Sequence, residues 1–172
     1  LVNVVRIRAG QDGFVAVKSD DSAVYWGSGG EIPNAGTQTQ LNSGVLDIFT
    51  TIWSFAALKY DGSVVVWGAS SHGGDTSAVA ASLTSGVVKL FNAYYAFAAL
   101  KADGSVVAWG SSTNGGTTTA VDSQLTSGVI DIFTADNAFA ALKSDGSVVA
   151  WGPSDKGGST TSVAAQLTSG VT

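Results

Sequence analysis

Residues 97–110 read FAALKADGSVVAWG, and this pattern returns nearly unchanged at residues 55–68 and 139–152 and in a more divergent form at residues 14–27. Each copy contains two apolar runs separated by Asp-Gly-Ser or, in the first copy, by Asp-Asp-Ser. Asp-Gly between apolar runs is typical of a tight β-hairpin, since glycine accepts the positive φ that such a turn requires. The pattern therefore predicts four hairpins, and it predicts a left-handed conformation for Asp21, which stands in the glycine's place.

The hairpins belong to tandem repeats of constant length. Trp26, Trp67, Trp109 and Trp151 are 41 or 42 residues apart, and glycines close the units at the same spacing. A fixed period of this size indicates a repeat architecture. We divide the chain, read as a single repeat domain over residues 1–172, into units at residues 4–44, 45–86, 87–128 and 129–170.

The rest of each unit consists of a short strand before the hairpin and a polar stretch after it. Residues 45–49 read VLDIF, an alternation that predicts a strand. After the tryptophan come glycines and a Ser/Thr tract, which predict a loop, and then a segment such as residues 162–170, SVAAQLTSG. This last segment is too short for its periodicity to distinguish an outer strand from one helical turn ended by glycine.

The two hairpin strands are apolar on both faces, which discriminates between architectures. In the runs at residues 97–100 (FAAL) and 106–109 (VVAW), no face is left polar for water. A β-sandwich would leave one face of each sheet solvated, whereas a small sheet packed between two like sheets is covered on both sides. We therefore predict an all-β protein of propeller-type blades, with a β-solenoid as the alternative, and we expect Trp67, Trp109 and Trp151 to be buried between blades.

A known repeat family shows the same order of features. The apolar start, the Ala-Leu strand, the Asp-Gly turn, the valine strand and Trp-Gly resemble the regulator of chromosome condensation repeat family, whose short-repeat bacterial members include beta-lactamase inhibitory protein II. Residues 4–10 (VVRIRAG) and 24–27 (VYWG) carry the resemblance most clearly. It implies a β-propeller of four-stranded blades, typically seven, that binds proteins through the loops of one face. Four repeats would be part or half of such a ring.

Composition and motifs argue against several kinds of function. The net charge is −5 and no Lys/Arg run occurs, so neither nucleic acid nor membrane insertion is expected. Cysteine is absent, and no calcium-loop or phosphate-loop pattern occurs, so no metal, no cofactor and no catalytic residue is expected. The single histidine, His72, is replaced by Asn114 and Lys156 in sister units, so we interpret it as polar filler. A carboxylate-dependent enzyme assembled from Asp12, Asp47, Asp131 or Asp136 is the third functional alternative.

One lysine position is conserved in all units of the chain. Lys18, Lys59, Lys101 and Lys143 end the same strand in each repeat. Solvated or ion-paired strand ends are the simple interpretation, and an anion-binding ring of ammonium groups is the alternative.

The units differ most in the loop between the first strand and the hairpin. The paired residues there are Gln11 and Asp12, Ile52 and Trp53, Tyr94 and Tyr95, and Asp136 and Asn137. Variable loops on a repeated frame are typical recognition sites, and Trp and Tyr are enriched at binding hot spots. We predict that these eight residues emerge on one side as a continuous binding patch. Drift at an unconstrained surface position explains the same variation.

The sequence is therefore compatible with three functions. The first is a non-enzymatic repeat module that binds a protein or a glycan, as a segment of a larger surface or secreted repeat protein that is extracellular or at the cell surface. The second is a structural repeat that assembles with copies of itself into a ring or filament, since apolar outer faces on the first and last units need cover. A homo-oligomer or a longer repeat array would supply it. The enzyme is the third.

Overall fold

The computed structural model describes residues 2–28 and 32–171, and in these ranges each repeat forms one antiparallel sheet of three strands in sequence order. The all-β, propeller-type architecture is thereby confirmed. The strands are β1 Val4–Ala9, β2 Gly13–Lys18 and β3 Ala23–Gly27; β4 Val45–Thr50, β5 Ser54–Lys59 and β6 Val64–Gly68; β7 Val87–Asn92, β8 Ala96–Lys101 and β9 Val106–Gly110; β10 Val129–Thr134, β11 Phe139–Lys143 and β12 Val148–Trp151. We call these sheets blades one to four.

The hairpin turns form as predicted. In the third blade, Asp103 Oδ1 accepts hydrogen bonds from the backbone nitrogen of Ser105 at 2.9 Å and from its hydroxyl at 2.6 Å. These two donors hold the pKa of the Asp103 carboxyl below its ordinary value, because they favour the charged form. Gly104 has a φ of 78°, and Asp21 occupies the same left-handed region at 59°, as expected for the first copy.

The blades have three strands rather than the four that the resemblance implied, because helical turns, the other alternative left open by the sequence, occupy the place of a fourth strand in the described residues. They are α1 Ala35–Gln40 in the first unit and 3₁₀ helices Ala80–Leu83, Asp122–Gln124 and Thr161–Gln166 in the others; further 3₁₀ helices, Ser70–His72, Ser112–Asn114 and Ser154–Lys156, follow the third strands. A leucine at the end of this segment explains the difference. Leu125 is buried, and its carbonyl accepts one hydrogen bond from Val106 of the edge strand at 2.9 Å. This single hydrogen bond to the edge strand stands in place of the series of bonds that a fourth strand would make.

The core lies between the blades, where the repeat tryptophans are packed. Trp67, Trp109 and Trp151 are only 4%, 3% and 3% exposed, which confirms their predicted burial. Trp109 belongs to a cluster with Ala56 and Leu58 of the preceding blade. Its ring stacks on Phe97 with centroids 5.3 Å apart. The blades are therefore joined by their tryptophan faces.

The repeated lysines bind the preceding unit. Lys59, Lys101 and Lys143 donate hydrogen bonds of 2.9, 3.0 and 2.8 Å to the backbone carbonyls of Gln40, Ser82 and Gln124. Each of these carbonyls lies in or beside the helical turn of the unit before. Lys18 instead pairs with Asp20 at 2.9 Å. Three of the four lysines thus form hydrogen bonds between neighbouring units rather than acting as solvated strand ends.

Packing joins each blade to the next, and the outer faces at the two ends remain open. The strand contacts link blade one to two, two to three and three to four. On blade one, Phe14 and Trp26 are 45% and 39% exposed; on blade four, Phe133 is 59% exposed. None of the helices within residues 2–28 and 32–171 has the length and apolar character needed to cross a membrane.

Candidate functional site

The four variable loops lie together at one end of the blades and are hydrogen-bonded to one another. Gln11 N donates to Ile52 O at 3.0 Å, Ile52 N donates to Tyr94 O at 3.0 Å, and Tyr94 N donates to Asp136 O at 2.8 Å. The structure therefore brings the predicted residues into one strip across all four blades. We call this strip the rim; its members are Gln11, Asp12, Ile52, Trp53, Tyr94, Tyr95, Asp136 and Asn137.

Local hydrogen bonding explains why the rim side chains can vary while the rim keeps its shape. In blade two, Thr51 N donates to Ser54 O at 2.9 Å, and this bond closes a hairpin whose two tip residues are Ile52 and Trp53. Ala93 N and Ala96 O form the equivalent bond in blade three at 2.9 Å. These closing bonds and the bonds between the loops join backbone atoms. The side chains at the tips therefore take no part in these bonds.

An aromatic group occupies the middle of the rim, across blades two and three. The ring of Trp53 lies 4.4 Å from that of His72, His72 lies 4.9 Å from Tyr95, and Tyr95 lies 6.3 Å from Tyr94 at 90°. Trp53 and Tyr94 are 37% and 48% exposed. Four rings thus form a continuous series that is partly open to solvent.

The interpretation of His72 as polar filler is corrected by this arrangement. A 3₁₀ helix, Ser70–His72, brings the imidazole from a different loop to a position between two rim aromatic residues. Ser71 Oγ lies 2.7 Å from His72 Nδ1, and the Thr51 hydroxyl donates to the His72 carbonyl at 2.9 Å. Burial lowers the pKa of His72, since desolvation disfavours the charged imidazolium. The signal for His72 in the sequence was its place in a second variable position, shared with Asn114 and Lys156.

Polar residues flank the aromatic group on both sides. Gln11 and Asp12 are exposed on blade one, and Asp136 is exposed on blade four. Asn137 is half-buried, and its Oδ1 has no hydrogen-bond partner among the described residues. Beside the rim, a pocket of about 390 Å³ is lined by residues of blades one to three, among them Gln11, Ile52 and Tyr94. The rim carries two carboxylates and no cation of its own.

Two of the four carboxylates considered for catalysis form ion pairs. Asp47 accepts two hydrogen bonds of 3.1 Å from Arg8 Nη2, and Asp131 pairs with Lys89 at 3.2 Å. These ion pairs connect neighbouring blades. Asp12 and Asp136 belong to the first and last loops of the rim. In residues 2–28 and 32–171, no group of three metal-ligating side chains occurs.

Comparison with known proteins identifies the fold. No family model matches the sequence, and no curated protein matches it. Among solved structures, human WBSCR16 is 20% identical over 90% of this chain and 48% of that chain, with a TM-score of 0.58. Yeast RCC1 (Prp20), in a structure with Kap60, is 17% identical over 87% of this chain and 43% of that chain, with a TM-score of 0.57. The ectodomain of the Physcomitrella patens receptor kinase CR4 is 15% identical over 86% and 40%, with a TM-score of 0.56.

These comparisons confirm the resemblance predicted from the sequence at the level of fold. The four blades have the RCC1-type repeat fold of a β-propeller. This chain spans less than half the length of each of the three structures.

Proposed function

From four blades of an RCC1-type propeller, we propose that this chain is a non-enzymatic repeat module that binds a protein partner through the rim. The observation that carries the proposal is the aromatic series at the centre of a rim whose backbone is fixed by hydrogen bonds between blades. Yeast RCC1, one of the proteins with this fold, was solved bound to Kap60, another protein. Placement in a larger surface or secreted protein remains a prediction.

The aromatic residues suit recognition because they are both rigid and partly exposed. Trp53 and Tyr94 leave 37% and 48% of their surface to solvent, which a partner can cover. Trp and Tyr have few rotatable bonds, so little side-chain entropy is lost when they are immobilised. Contacts with His72 and Tyr95 further restrict them. A preorganised surface of this kind loses less free energy on binding than a flexible one.

The charges beside the aromatic group indicate the chemistry of the partner. Asp12 and Asp136 are exposed at the two ends of the rim, and the whole chain has a net charge of −5. A complementary partner surface has an apolar centre and Lys or Arg at its edge, because opposite charges favour encounter and suppress wrong partners. We therefore expect protein segments with an apolar core flanked by basic residues to bind best.

A displayed peptide library tests this proposal. We expect selection on the immobilised chain to enrich peptides with apolar centres and basic flanks. The variant Trp53→Ser/Tyr94→Ser/Tyr95→Ser should bind the enriched peptides at least about 30-fold more weakly, the effect of losing one hot spot of about 2 kcal/mol. Thermal melting checks that the variant remains folded.

Tyr60→Ser is the matched control. Tyr60 is an aromatic residue with 61% exposure, at the opposite end of strand β5 from Trp53, so its replacement should leave peptide affinity unchanged. Equal loss of affinity in the control and the rim variant would contradict a binding role for the rim. Absence of peptide enrichment together with rim-dependent binding on a glycan array would replace the protein partner by a carbohydrate.

A further inference from the structure

The junction between blades two and three and the junction between blades three and four are built from the same parts. A stacked Phe–Trp pair of one blade enters the preceding blade: Phe97 with Trp109, and Phe139 with Trp151, have ring centroids 5.3 and 5.2 Å apart. The indole nitrogens donate to the carbonyls of Gly73 and Gly115 in the preceding unit, at 3.0 and 3.1 Å. The same two glycines lie against the phenylalanine rings so closely that a Cβ on either would be 2.8 Å from one.

Blade one has the same stacked Phe–Trp pair, but no blade packs against it. Phe14 and Trp26 stand at the same repeat positions and are already stacked, with centroids 5.4 Å apart and an angle of 17° between the rings. The pair is 45% and 39% exposed, whereas Phe97 and Trp109 are 0% and 3% exposed. The pair is therefore preformed and uncovered.

Blade four has the surface on which such a pair would pack, and that surface is uncovered. Gly157 stands at the position of Gly73 and Gly115, but nothing lies within 4 Å of a Cβ placed on it. A pocket of about 210 Å³, lined by Phe133, Ala138, Ala140 and Gly157 among others, opens at this place. Phe133 is 59% exposed, and Leu167, the counterpart of the buried Leu125, is only half-buried. We call this surface the socket.

Polar groups at the two ends match in the same way. Lys143 donates to Gln124 O at 2.8 Å, so Lys18 on an incoming blade would face Gln166 O, which stands at the equivalent position. One repeat position alternates in charge through the chain, with Arg6, Asp47, Lys89 and Asp131 in succession. Placing blade one after blade four continues the alternation, since Arg6 then follows Asp131. Neighbouring like charges are thereby avoided.

We propose that blade one of a second copy of this chain docks on blade four, with Phe14 and Trp26 in the socket. Trp26 then donates to the carbonyl of Gly157, as Trp151 does to that of Gly115. A head-to-tail contact closes into a ring when the rotation between subunits allows it. Two copies joined twice in this way give a ring of eight blades. Val171 and Val4 share one repeat position, so one of these two terminal segments moves aside at the junction.

Sedimentation velocity over a wide range of chain concentrations tests the junction. We expect the unaltered chain to form a dimer, and Trp26→Ser or Phe133→Asp to weaken association at least about 30-fold. Both residues are exposed in the single chain, so thermal melting should show that either variant alone remains folded. Tyr60→Ser, which changes an exposed aromatic residue outside the junction, should associate like the unaltered chain.

Mixing the two weakened variants gives the sharper result. The Trp26→Ser copy keeps its socket and the Phe133→Asp copy keeps its Phe–Trp pair, so a mixture can form one intact junction that neither variant can form alone. Restored association in the mixture supports head-to-tail docking, while no restoration overturns it. A monomer at every concentration overturns the proposal outright. Assembly that keeps growing with concentration and is abolished by Trp26→Ser retains the junction but overturns the closed ring.

Discussion

Trp109→Ala measures how much of the stability resides in the contact between blades. Trp109 is 3% exposed, stacks on Phe97 and donates its indole proton to the Gly73 carbonyl at 3.0 Å. Truncation of a buried tryptophan removes apolar burial and leaves a cavity, which together cost about 3 to 5 kcal/mol. We expect the free energy of unfolding to fall by this amount, a large share of the about 5 to 15 kcal/mol typical of a domain.

Urea unfolding followed by far-ultraviolet circular dichroism measures this change, at one fixed chain concentration so that association contributes equally. Trp109→Phe retains an aromatic ring over Phe97 but removes the donor to Gly73. It should lose about 1 to 3 kcal/mol, the effect of leaving a buried acceptor unpaired. A loss within about 0.5 kcal/mol for Trp109→Ala, as for an exposed surface residue, would mean that the contact between blades contributes little to stability.

Three further changes test separate parts of the structure. Gly115→Ala should lower the melting temperature, because Gly115 has a φ of 88° and its new Cβ would lie 2.8 Å from the Phe139 ring; an unchanged melting curve would contradict that contact. Lys101→Met should reduce the free energy of unfolding by about 1 kcal/mol, because the hydrogen bond to Ser82 O is lost. The same loss measured in high salt would distinguish this hydrogen bond from a surface charge, whose effect salt screens. The pKa of His72 should lie below its ordinary value of 6.5, as measured by nuclear magnetic resonance on the chain's only histidine. The unfolded chain then binds the proton more readily than the folded chain. The stability contributed by neutral His72 is therefore present above pH 6.5 and is lost as the pH falls through 6.5 towards the lowered pKa. A titration midpoint of His72 above 6.5 would contradict the desolvation of its imidazole.

The architecture was accessible from the sequence because the decisive signals are local and repeated. Asp-Gly between two apolar runs specifies a hairpin, and strands that are apolar on both faces require a neighbour on each side. The fourth element of the blade was not accessible in the same way. Its few residues carry no usable period, and the choice of a helical turn depends on Leu125 being anchored by its single bond to Val106 and by burial under the next blade.

The candidate site was predictable in position but not in detail. Loops at one repeat position must emerge at one end of the blades, so the alignment of Gln11, Ile52, Tyr94 and Asp136 is a consequence of the repeat. The backbone bonds that join these loops leave no side-chain signature. The role of His72 was hidden because it comes from another loop, and its approach to Trp53 depends on the turn Ser70–His72.

Hydrogen–deuterium exchange of the chain with and without an enriched peptide shows directly whether a partner binds on the rim. The rim amides of Gln11, Ile52 and Tyr94 are bonded between blades, so a ligand that covers them should slow their opening and exchange further. We expect added protection at residues 10–12, 51–53, 93–95 and 135–137. Protection confined to the hairpin turns at the opposite end, residues 60–62, 102–104 and 144–146, would contradict it.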